Sequence, residues 1–326
     1  MLKPIVNSSN KKPWIIRFFN NIKANWMFIT MCLPGVVILV LFSYLPMPGI
    51  LMAFQRVRIG GAGFFKNLFN PVAWVGIQNF NAYFLSPDFL RTTLNTLGYN
   101  ITFMVLGLVG SVFVAVAANE LWNKRAVRLY QSIMILPAFL SWVIVSYLVY
   151  SLLNPEFGVI NVFLKQLGFQ GVNWYSEGIV WRFLLPLFNL WKGVGLGSIY
   201  YFAAIAGIDQ EIYESAMIDG ASRFKQIIYI TLPMLKPTMI VLTILGLGGI
   251  IRSDFGLFYV ATLQMGRGAL YETVSTIDTY TYTLLMQSGR IALGTAVGFY
   301  QSFVGLAMII GVNMIVRKLD KDSAIF

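Results

Sequence analysis

The amino-acid sequence predicts an all-α polytopic membrane protein with six transmembrane helices and an additional helix in a cytoplasmic loop. Of the 326 residues, 57% are hydrophobic and 11% are charged, whereas soluble domains carry about 25% charged residues. The apolar residues form long runs that approach the roughly 20 residues needed to cross a bilayer. Since this composition cannot supply a charged surface over a large core, it excludes an ordinary soluble fold.

Six apolar runs are candidate spans. They cover residues 27–54, 93–118, 129–153, 183–207, 237–258 and 291–316. The first contains Pro34, Pro46 and Pro48, which predict a kink or an early end. Residues 1–26 alternate basic with apolar side chains and predict a cytoplasmic interfacial helix that leads into a retained span. A cleaved signal peptide is the alternative, but the run is too long and lacks a small-residue cleavage site.

Basic residues between the spans predict the orientation, because cytoplasmic loops are enriched in Lys and Arg. Fourteen lie on the side of the N terminus: Lys3, Lys11, Lys12, Arg17, Lys23, Lys124, Arg125, Arg128, Arg223, Lys225, Lys236, Arg317, Lys318 and Lys321. Eight lie on the other side: Arg56, Arg58, Lys66, Arg91, Lys165, Arg182, Arg267 and Arg290. This bias places both termini in the cytoplasm. The basic residues are not gathered in one patch, which argues against nucleic-acid binding despite a net charge of +11.

Residue types that catalysis and metal binding usually need are scarce. The chain has no His and a single Cys, Cys32, which argues against an internal disulfide, a zinc site and His-based catalysis. Asp254 is nearly the only acidic residue within the predicted spans. No internal repeat or flexible linker divides the chain, so residues 1–326 are predicted to be one domain.

The loop between the fourth and fifth spans, residues 208–233, has the pattern of a capped amphipathic helix. Asp209 is a plausible N-cap, and Glu211 places negative charge in the first turn. An apolar stripe follows at three- and four-residue spacing: Tyr213, Met217, Ala221, Phe224 and Ile228. Gly220 interrupts the stripe, and Pro233 and Pro237 are expected to stop the pattern before the next span. The stripe suits either an interfacial helix in the bilayer or a helix that docks on a partner.

The same loop closely resembles the EAA loop of binding-protein-dependent ABC importer permeases. That motif has a Glu-Ala-Ala start, a Gly six residues after the Glu, and an Ile-x-Leu-Pro ending. Its positions fall here on Glu214, Ser215, Ala216, Gly220, Ile230, Leu232 and Pro233, with Asp219 and Ala221 matching the extended form of the carbohydrate-uptake branch. Ser215 replaces the first Ala. The six-span layout, the stretch 45–49 and the turn 154–161 are similar to those of permeases for polysaccharides and oligosaccharides.

This resemblance implies a half-pore that works with several partners. In the family the loop is a coupling helix that docks on a separate ATPase, and two ATPase copies move two permease subunits between inward- and outward-facing states. A solute-binding protein outside the membrane delivers the sugar. The 326 residues contain no Gly-x-x-x-x-Gly-Lys-Ser/Thr phosphate loop, so ATP and Mg are expected on the partner ATPases and no cofactor on this chain. The implied location is a bacterial cell membrane.

Charged residues within spans are candidates for function. Lys192 lies roughly 14 Å below the outer face of the fourth predicted span, and Arg252 lies roughly 22 Å above the cytoplasmic end of the fifth. Lys192 is expected to face a cavity or an internal partner. For Arg252 and Asp254 the alternative is snorkelling to the outer interface.

The resemblance also implies where the sugar passes. By position, the family's substrate contacts fall on Lys192, Gly193, Leu196, Gly249, Arg252, Ser253 and Asp254. Maltose-type members have Asn and aromatic residues in the second stretch, so this chain departs from them and is not expected to carry maltose. Basic residues facing a lumen would suit an acidic sugar, unless Asp254 neutralises Arg252.

The glycine-rich stretch of the fourth predicted span has two possible interpretations. The glycines at 193, 195 and 197 indicate close helix packing rather than a nucleotide fingerprint, since they do not follow a strand.

A secondary transporter or channel for a small polar solute is the alternative function, but it gives no reason for the coupling loop. A membrane-embedded enzyme would need converging acids or a metal site.

Overall fold

The computed structural model describes residues 23–57, 69–70, 73–121, 123–263, 268 and 270–319. Most of these residues are helical, and an isolated bridge joins Gln55 to Trp74. The chain divides into two units, Met1–Leu51 and Met52–Phe326. The predicted interfacial helix of residues 1–26 lies almost wholly outside the described residues, and a single domain over 1–326 stays a prediction.

The first unit contains most of the first predicted span. Helix α1 covers Trp26–Leu39 with Pro34 inside it, and a π-helical turn, Val40–Tyr44, follows. A 3-10 helix, Met47–Phe54, then continues across the boundary between the units. The prolines therefore change the type of helix instead of ending the span, since Trp26–Phe54 is long and apolar enough to cross a membrane.

The second unit holds the remaining helices. In chain order they are α2 Gln78–Phe84, α3 Pro87–Asn119, α4 Lys124–Phe139, α5 Trp142–Leu153, α6 Val159–Gln166, α7 Gly178–Ala206, α8 Gln210–Ile218, α9 Arg223–Gln226, α10 Leu232–Leu247, α11 Tyr271–Val274, α12 Ile277–Tyr282 and α13 Ile291–Leu319. Further π-helical turns cover Ile227–Thr231, Gly256–Val260 and Thr283–Gln287. Helices α3 and α7 pack along each other and form the centre of this unit.

Four helices in the described residues have the length and hydropathy of a membrane span: Trp26–Phe54, Pro87–Asn119, Arg223–Leu247 and Ile291–Met314. A fifth span is reached if the bent pair α4–α5 is counted as one. Helix α7 is 29 residues long, but Asn189, Lys192 and its glycines lower its hydropathy. The multi-pass helical class is confirmed, whereas the number six stays a prediction.

The third predicted span, 129–153, is wrong as one continuous helix. Helices α4 and α5 meet at an angle of 96°. Pro137 near the end of α4 removes a backbone donor. The hydroxyl of Ser141 then accepts a hydrogen bond from the Ile144 N–H and caps a new helix in another direction.

The fifth predicted span, 237–258, has wrong bounds at both ends. The helix begins at Arg223 and ends at Leu247, so Pro233 and Pro237 do not stop it. Pro233 lies in the first turn of α10, directly after the π-helical turn Ile227–Thr231, where the regular hydrogen-bond ladder is already interrupted. Residues 248–254 are not α-helical, and the depth and face expected for Arg252 and Asp254 from a helix do not apply.

Glycines let α7 pack closely on its neighbours. A Cβ on Gly195 would overlap the carbonyl oxygen of Met134 in α4, and one on Gly197 would overlap the Ser111 hydroxyl in α3. A Cβ on Gly193 would meet open space. The packing interpretation is therefore confirmed for Gly195 and Gly197 and is wrong for Gly193.

Candidate functional site

The loop between α7 and α10 folds as a helix, a tight turn and a second helix. The side chain of Asp209 accepts the Glu211 N–H at 3.0 Å, which confirms the predicted N-cap of α8. At the other end of α8, the Gly220 N–H bonds the Met217 carbonyl and the Ala221 N–H bonds the Ala216 carbonyl. These two bonds form a Schellman C-cap, which needs a left-handed residue. Gly220 supplies it with φ +77°.

The cap divides the predicted apolar stripe between two helices. Helix α8 ends at Ile218, and the Ser222 hydroxyl caps α9 by accepting the Lys225 N–H. The predicted interruption of the stripe at Gly220 is therefore confirmed, and the αL turn also redirects the chain between the two helices. The apolar side chains near the turn are exposed: 48% for Met217, 87% for Ile218 and 70% for Phe224.

The motif residues mostly lie on the exposed surface of this loop. Glu214, Ser215, Asp219, Gly220 and Pro233 are exposed, and Ala216, Ala221, Ile230 and Leu232 are partly buried. Together with the exposed apolar residues at the turn, they make a surface that this unit does not cover. Its charge and apolar content suit a protein partner.

Helix α8 is joined to the helix of the fifth predicted span by side chains. The hydroxyls of Tyr213 and Thr231 lie 2.9 Å apart, and the Gln226 amide donates to the Ala221 carbonyl at 3.2 Å. A cavity of about 320 Å³ lies behind α8 and is lined in part by Glu120, Glu214 and Arg223. A displacement of α8 would therefore be transmitted to Thr231 by the hydrogen bond between the Tyr213 and Thr231 hydroxyls.

Lys192 is partly buried and has an internal partner. Its Nζ donates to the Ala138 carbonyl at 2.9 Å and lies 5.4 Å from the centre of the Trp142 ring. These contacts agree with the expectation of an internal partner. They place Lys192 at the break between α4 and α5 instead of leaving its ammonium free.

Side chains hold the irregular segment 248–254 in place. The Asn100 amide donates to the carbonyls of Ile250 and Arg252 at 2.7 and 2.8 Å, and the Gln301 amide donates to the Ile251 carbonyl at 2.8 Å. Asp278 accepts from the Ser253 N–H, the Ser253 hydroxyl and the Gln301 amide. In a membrane such backbone groups need protein partners. Ser253 takes part in these supporting hydrogen bonds, and its side chain does not lie on an open surface.

Arg252 and Asp254 are exposed and are not paired with each other. In the part of the chain that the structure describes, the ion pairs are Arg91–Asp88 and Arg91–Glu272. Asp254 accepts the Gly256 N–H at 2.9 Å through Oδ1 and the Trp142 indole N–H at 2.7 Å through Oδ2. The described residues therefore contain no ion pair through which Asp254 would neutralise Arg252.

The other substrate-path candidates are Gly193, Leu196 and Gly249. Gly193 lines a cavity of about 280 Å³ between α3, α7 and α10, together with Asn189 and Thr243. Leu196 is 44% exposed, and Gly249 is exposed. The structure brings Lys192 and Asp254 together through Trp142, whereas Gly193, the next residue along α7, lines this cavity.

A polar cluster near the start of α3 was not predicted. Arg91 pairs with Asp88 and Glu272 at 3.2 Å each, and the Tyr271 hydroxyl donates to Asp88 at 2.9 Å. Burial and this hydrogen bond raise the pKa of Tyr271 to about 12, so its phenol remains a donor at alkaline as well as neutral pH. The cluster fixes α11 against the beginning of α3.

Two of the supporting residues carried a usable signal in the sequence. Asn100 and Gln301 are polar residues inside predicted spans, which is a reason to look for partners. Trp142 carried no such signal, since tryptophan is common near membrane interfaces. Asp278 lies outside the predicted spans, and only the folded chain brings it to Ser253.

The fold and the capped loop together define a multi-pass membrane permease with an exposed helical element for a partner. The chain belongs to the family described as binding-protein-dependent transport system inner membrane component, whose sequence profile matches residues 107–321. This family supports the resemblance found in the coupling loop, and it does not support a secondary transporter, a channel or a membrane-embedded enzyme.

Several known proteins are similar along most of the chain. Protein LplB of Bacillus subtilis is 33% identical over 92% of this chain and 91% of its own. The polygalacturonan/rhamnogalacturonan transport system permease protein YteP of the same organism is 32% identical over 90% and 88%.

Solved structures of a bacterial ABC transporter for the acidic polysaccharide alginate also match. One has a TM-score of 0.81 and 33% identity over 93% of this chain and 99% of that chain. Another, in complex with an alginate pentasaccharide-bound periplasmic protein, has a TM-score of 0.79, 33% identity and coverage of 94% and 99%.

Proposed function

We propose that this chain forms one half of the translocation pore of an ATP-driven importer for oligosaccharides. A second permease subunit completes the pore, two ATPase subunits supply the energy, and a solute-binding protein outside the membrane delivers the sugar. Both termini lie in the cytoplasm. The exposed Schellman-capped turn after α8, within the region that matches the family, carries this proposal.

The loop has the properties needed to receive force from another protein. Its turn is fixed by backbone hydrogen bonds, its apolar side chains are exposed, and Tyr213 connects α8 to the helix that enters the membrane. A rigid element that moves between two positions can bias a two-state pore. ATP and Mg belong on the partner ATPases, and this chain is the non-catalytic pore subunit.

The substrate class is proposed to include acidic oligosaccharides. Alginate is an acidic polysaccharide, and the alginate transporter resembles this chain over most of its length. Arg252 is exposed and has no ion pair among the described residues, so its guanidinium is free to bind a carboxylate. Lys192 is held by Ala138 and Trp142.

Purification of the tagged chain from its own membranes tests the proposed function. We expect an ATPase and a second permease to co-purify, and we expect vesicles containing this complex to accumulate oligosaccharide only with ATP and binding protein. Uptake by the chain alone, without any ATPase, would contradict the proposal.

Replacing Arg252 with glutamine is expected to weaken uptake of acidic oligosaccharides. Loss of a charge-assisted hydrogen bond costs about 1.5 kcal/mol or more, so the KM for a uronate-containing oligosaccharide should rise about tenfold. The KM for a neutral oligosaccharide of the same length should stay unchanged. Arg290→Gln, at another exposed arginine, is the matched control, and equal changes for both sugars would refute the role of Arg252.

Replacing Tyr213 with phenylalanine is expected to uncouple ATP hydrolysis from transport in part. The variant loses the bond to Thr231 while keeping the ring, and such a bond contributes about 1 kcal/mol. We expect the sugar transported per ATP hydrolysed to fall about fivefold in reconstituted vesicles. Tyr229→Phe, at a tyrosine that is 75% exposed, serves as the control. An unchanged ratio in Tyr213→Phe would show that this bond does not transmit force.

A further inference from the structure

The break between α4 and α5 leaves backbone groups that need partners. The last four carbonyls of a helix receive no hydrogen bond from within it. Here the Leu140 N–H donates to the Pro137 carbonyl. The next carbonyl, that of Ala138, accepts from the Lys192 Nζ at 2.9 Å. A cation at a helix C terminus is also favoured by the helix dipole. Lys192 on α7 therefore caps the end of α4.

The Trp142 ring connects this cap to a second irregular segment. Lys192 lies 5.4 Å from the ring centre, within the range of a cation–π interaction. The ring rests against Gly256, where an added Cβ would overlap it. Its indole N–H donates to Asp254 Oδ2 at 2.7 Å. Asp254 in turn caps the π-helical turn Gly256–Val260 through its other oxygen.

We propose that Lys192, Trp142 and Asp254 form one clamp that holds the break at 139–142 against the irregular segment 248–254, so that both interruptions move together during transport. In this assignment Lys192 is a positioning residue and not a sugar ligand. The inference concerns transport through the pore proposed above and rests on that function for its transport measurements. Its structural measurement is independent of that function.

These contacts give Lys192 a structural task. One of the three N–H groups of its ammonium is donated to the Ala138 carbonyl, and a ligand that drew the ammonium away from this position would leave that carbonyl without a partner. In a bilayer an unsatisfied carbonyl costs several kcal/mol. Arg252 lies two residues before Asp254, and its side chain has no ion pair among the described residues. Lys192 and Arg252 therefore have different roles.

The structural test is hydrogen exchange on the purified full-length chain, monitored in peptides covering 138–144 and 250–257. We expect Lys192→Met to increase exchange in both peptides together, and Trp142→Phe to do the same because it loses the indole donor. Lys192→Arg should restore protection, since arginine keeps the donor and the cation. Lys165→Met, at an exposed lysine outside the predicted spans, should change neither peptide. Increased exchange confined to 138–144 would overturn the clamp.

The functional test is a double-mutant cycle in vesicles containing the complete importer. We expect Lys192→Met to lower the maximal uptake rate about tenfold while leaving the KM for acidic and neutral oligosaccharides unchanged. The double variant Lys192→Met/Trp142→Phe should be no slower than Lys192→Met, because residues of one unit are not additive. Additive losses, or a KM increase for the acidic sugar alone, would overturn the proposal. Lack of any ATP-driven uptake by the unmodified importer would instead refute the proposed function.

Discussion

Gly195→Ala is expected to prevent stable packing of α4 against α7. The added Cβ would overlap the carbonyl oxygen and carbon of Met134, and these backbone atoms cannot rotate away as a side chain can. The two helices must separate, and overpacking of this kind costs about 1–3 kcal/mol or more. We expect a large loss of monodisperse protein in detergent, together with a clearly lower thermal unfolding temperature.

Gly193→Ala is the matched control for this effect. It lies two residues earlier on the same helix, where a Cβ meets no atom within 4 Å. Alanine favours helix over glycine by about 0.8–1.0 kcal/mol, so this variant should be as stable as the unmodified protein or slightly more stable. Equal behaviour of the two variants would show that the contact with Met134 does not limit stability.

Gly220→Val is expected to abolish binding of the ATPase while leaving the helical bundle folded. Gly220 has φ +77°, and a left-handed conformation costs roughly 1–2 kcal/mol for a residue with a Cβ. The Schellman bonds from Gly220 and Ala221 would be lost, and α8 and α9 would change their relative direction. Co-purification of the ATPase with the tagged permease should fall at least tenfold, with no change in the elution profile of the permease.

Gly168→Val is the control for backbone strain alone. Gly168 has φ +84°, and its Cβ would also meet open space, but it lies in the loop predicted on the opposite side of the membrane. This variant should keep its ATPase. Glu214→Lys, which reverses an exposed charge on α8 without backbone strain, should lose the ATPase as Gly220→Val does. Retention of the ATPase in both loop variants would contradict a docking role for the loop.

Local signals predicted the coupling loop well. Asp209 caps α8 as its residue type and position indicated, and the motif glycine stands at a left-handed turn. These features depend on residues close in sequence, so a short segment determines them. The interruption of the apolar stripe at Gly220 was predicted, but periodicity alone did not reveal that Ser222 begins a second helix.

The span boundaries were harder to predict. Apolar composition locates a segment in the bilayer, but it does not distinguish one helix of 25 residues from two helices at 96°. Similarly, α10 ends at Leu247 because side chains from other helices, Asn100 and Gln301, satisfy the carbonyls beyond it. Such support comes from distant parts of the chain and leaves no local pattern.

By itself, the sequence determined that this protein is a multi-pass helical membrane protein with a capped loop of the ABC permease type. Composition and short-range hydrogen bonding are sufficient for that conclusion. Only the tertiary structure decided which groups these charged residues contact. The sequence predicted a cavity or an internal partner for Lys192 and left snorkelling open for Arg252 and Asp254. The approach of α4 to α7 at Gly195 brings Lys192 to the Ala138 carbonyl, whereas Arg252 stays exposed. The physical reason is that a partly buried cation takes the unsatisfied acceptor within its reach, and that acceptor exists only where the break between α4 and α5 creates it.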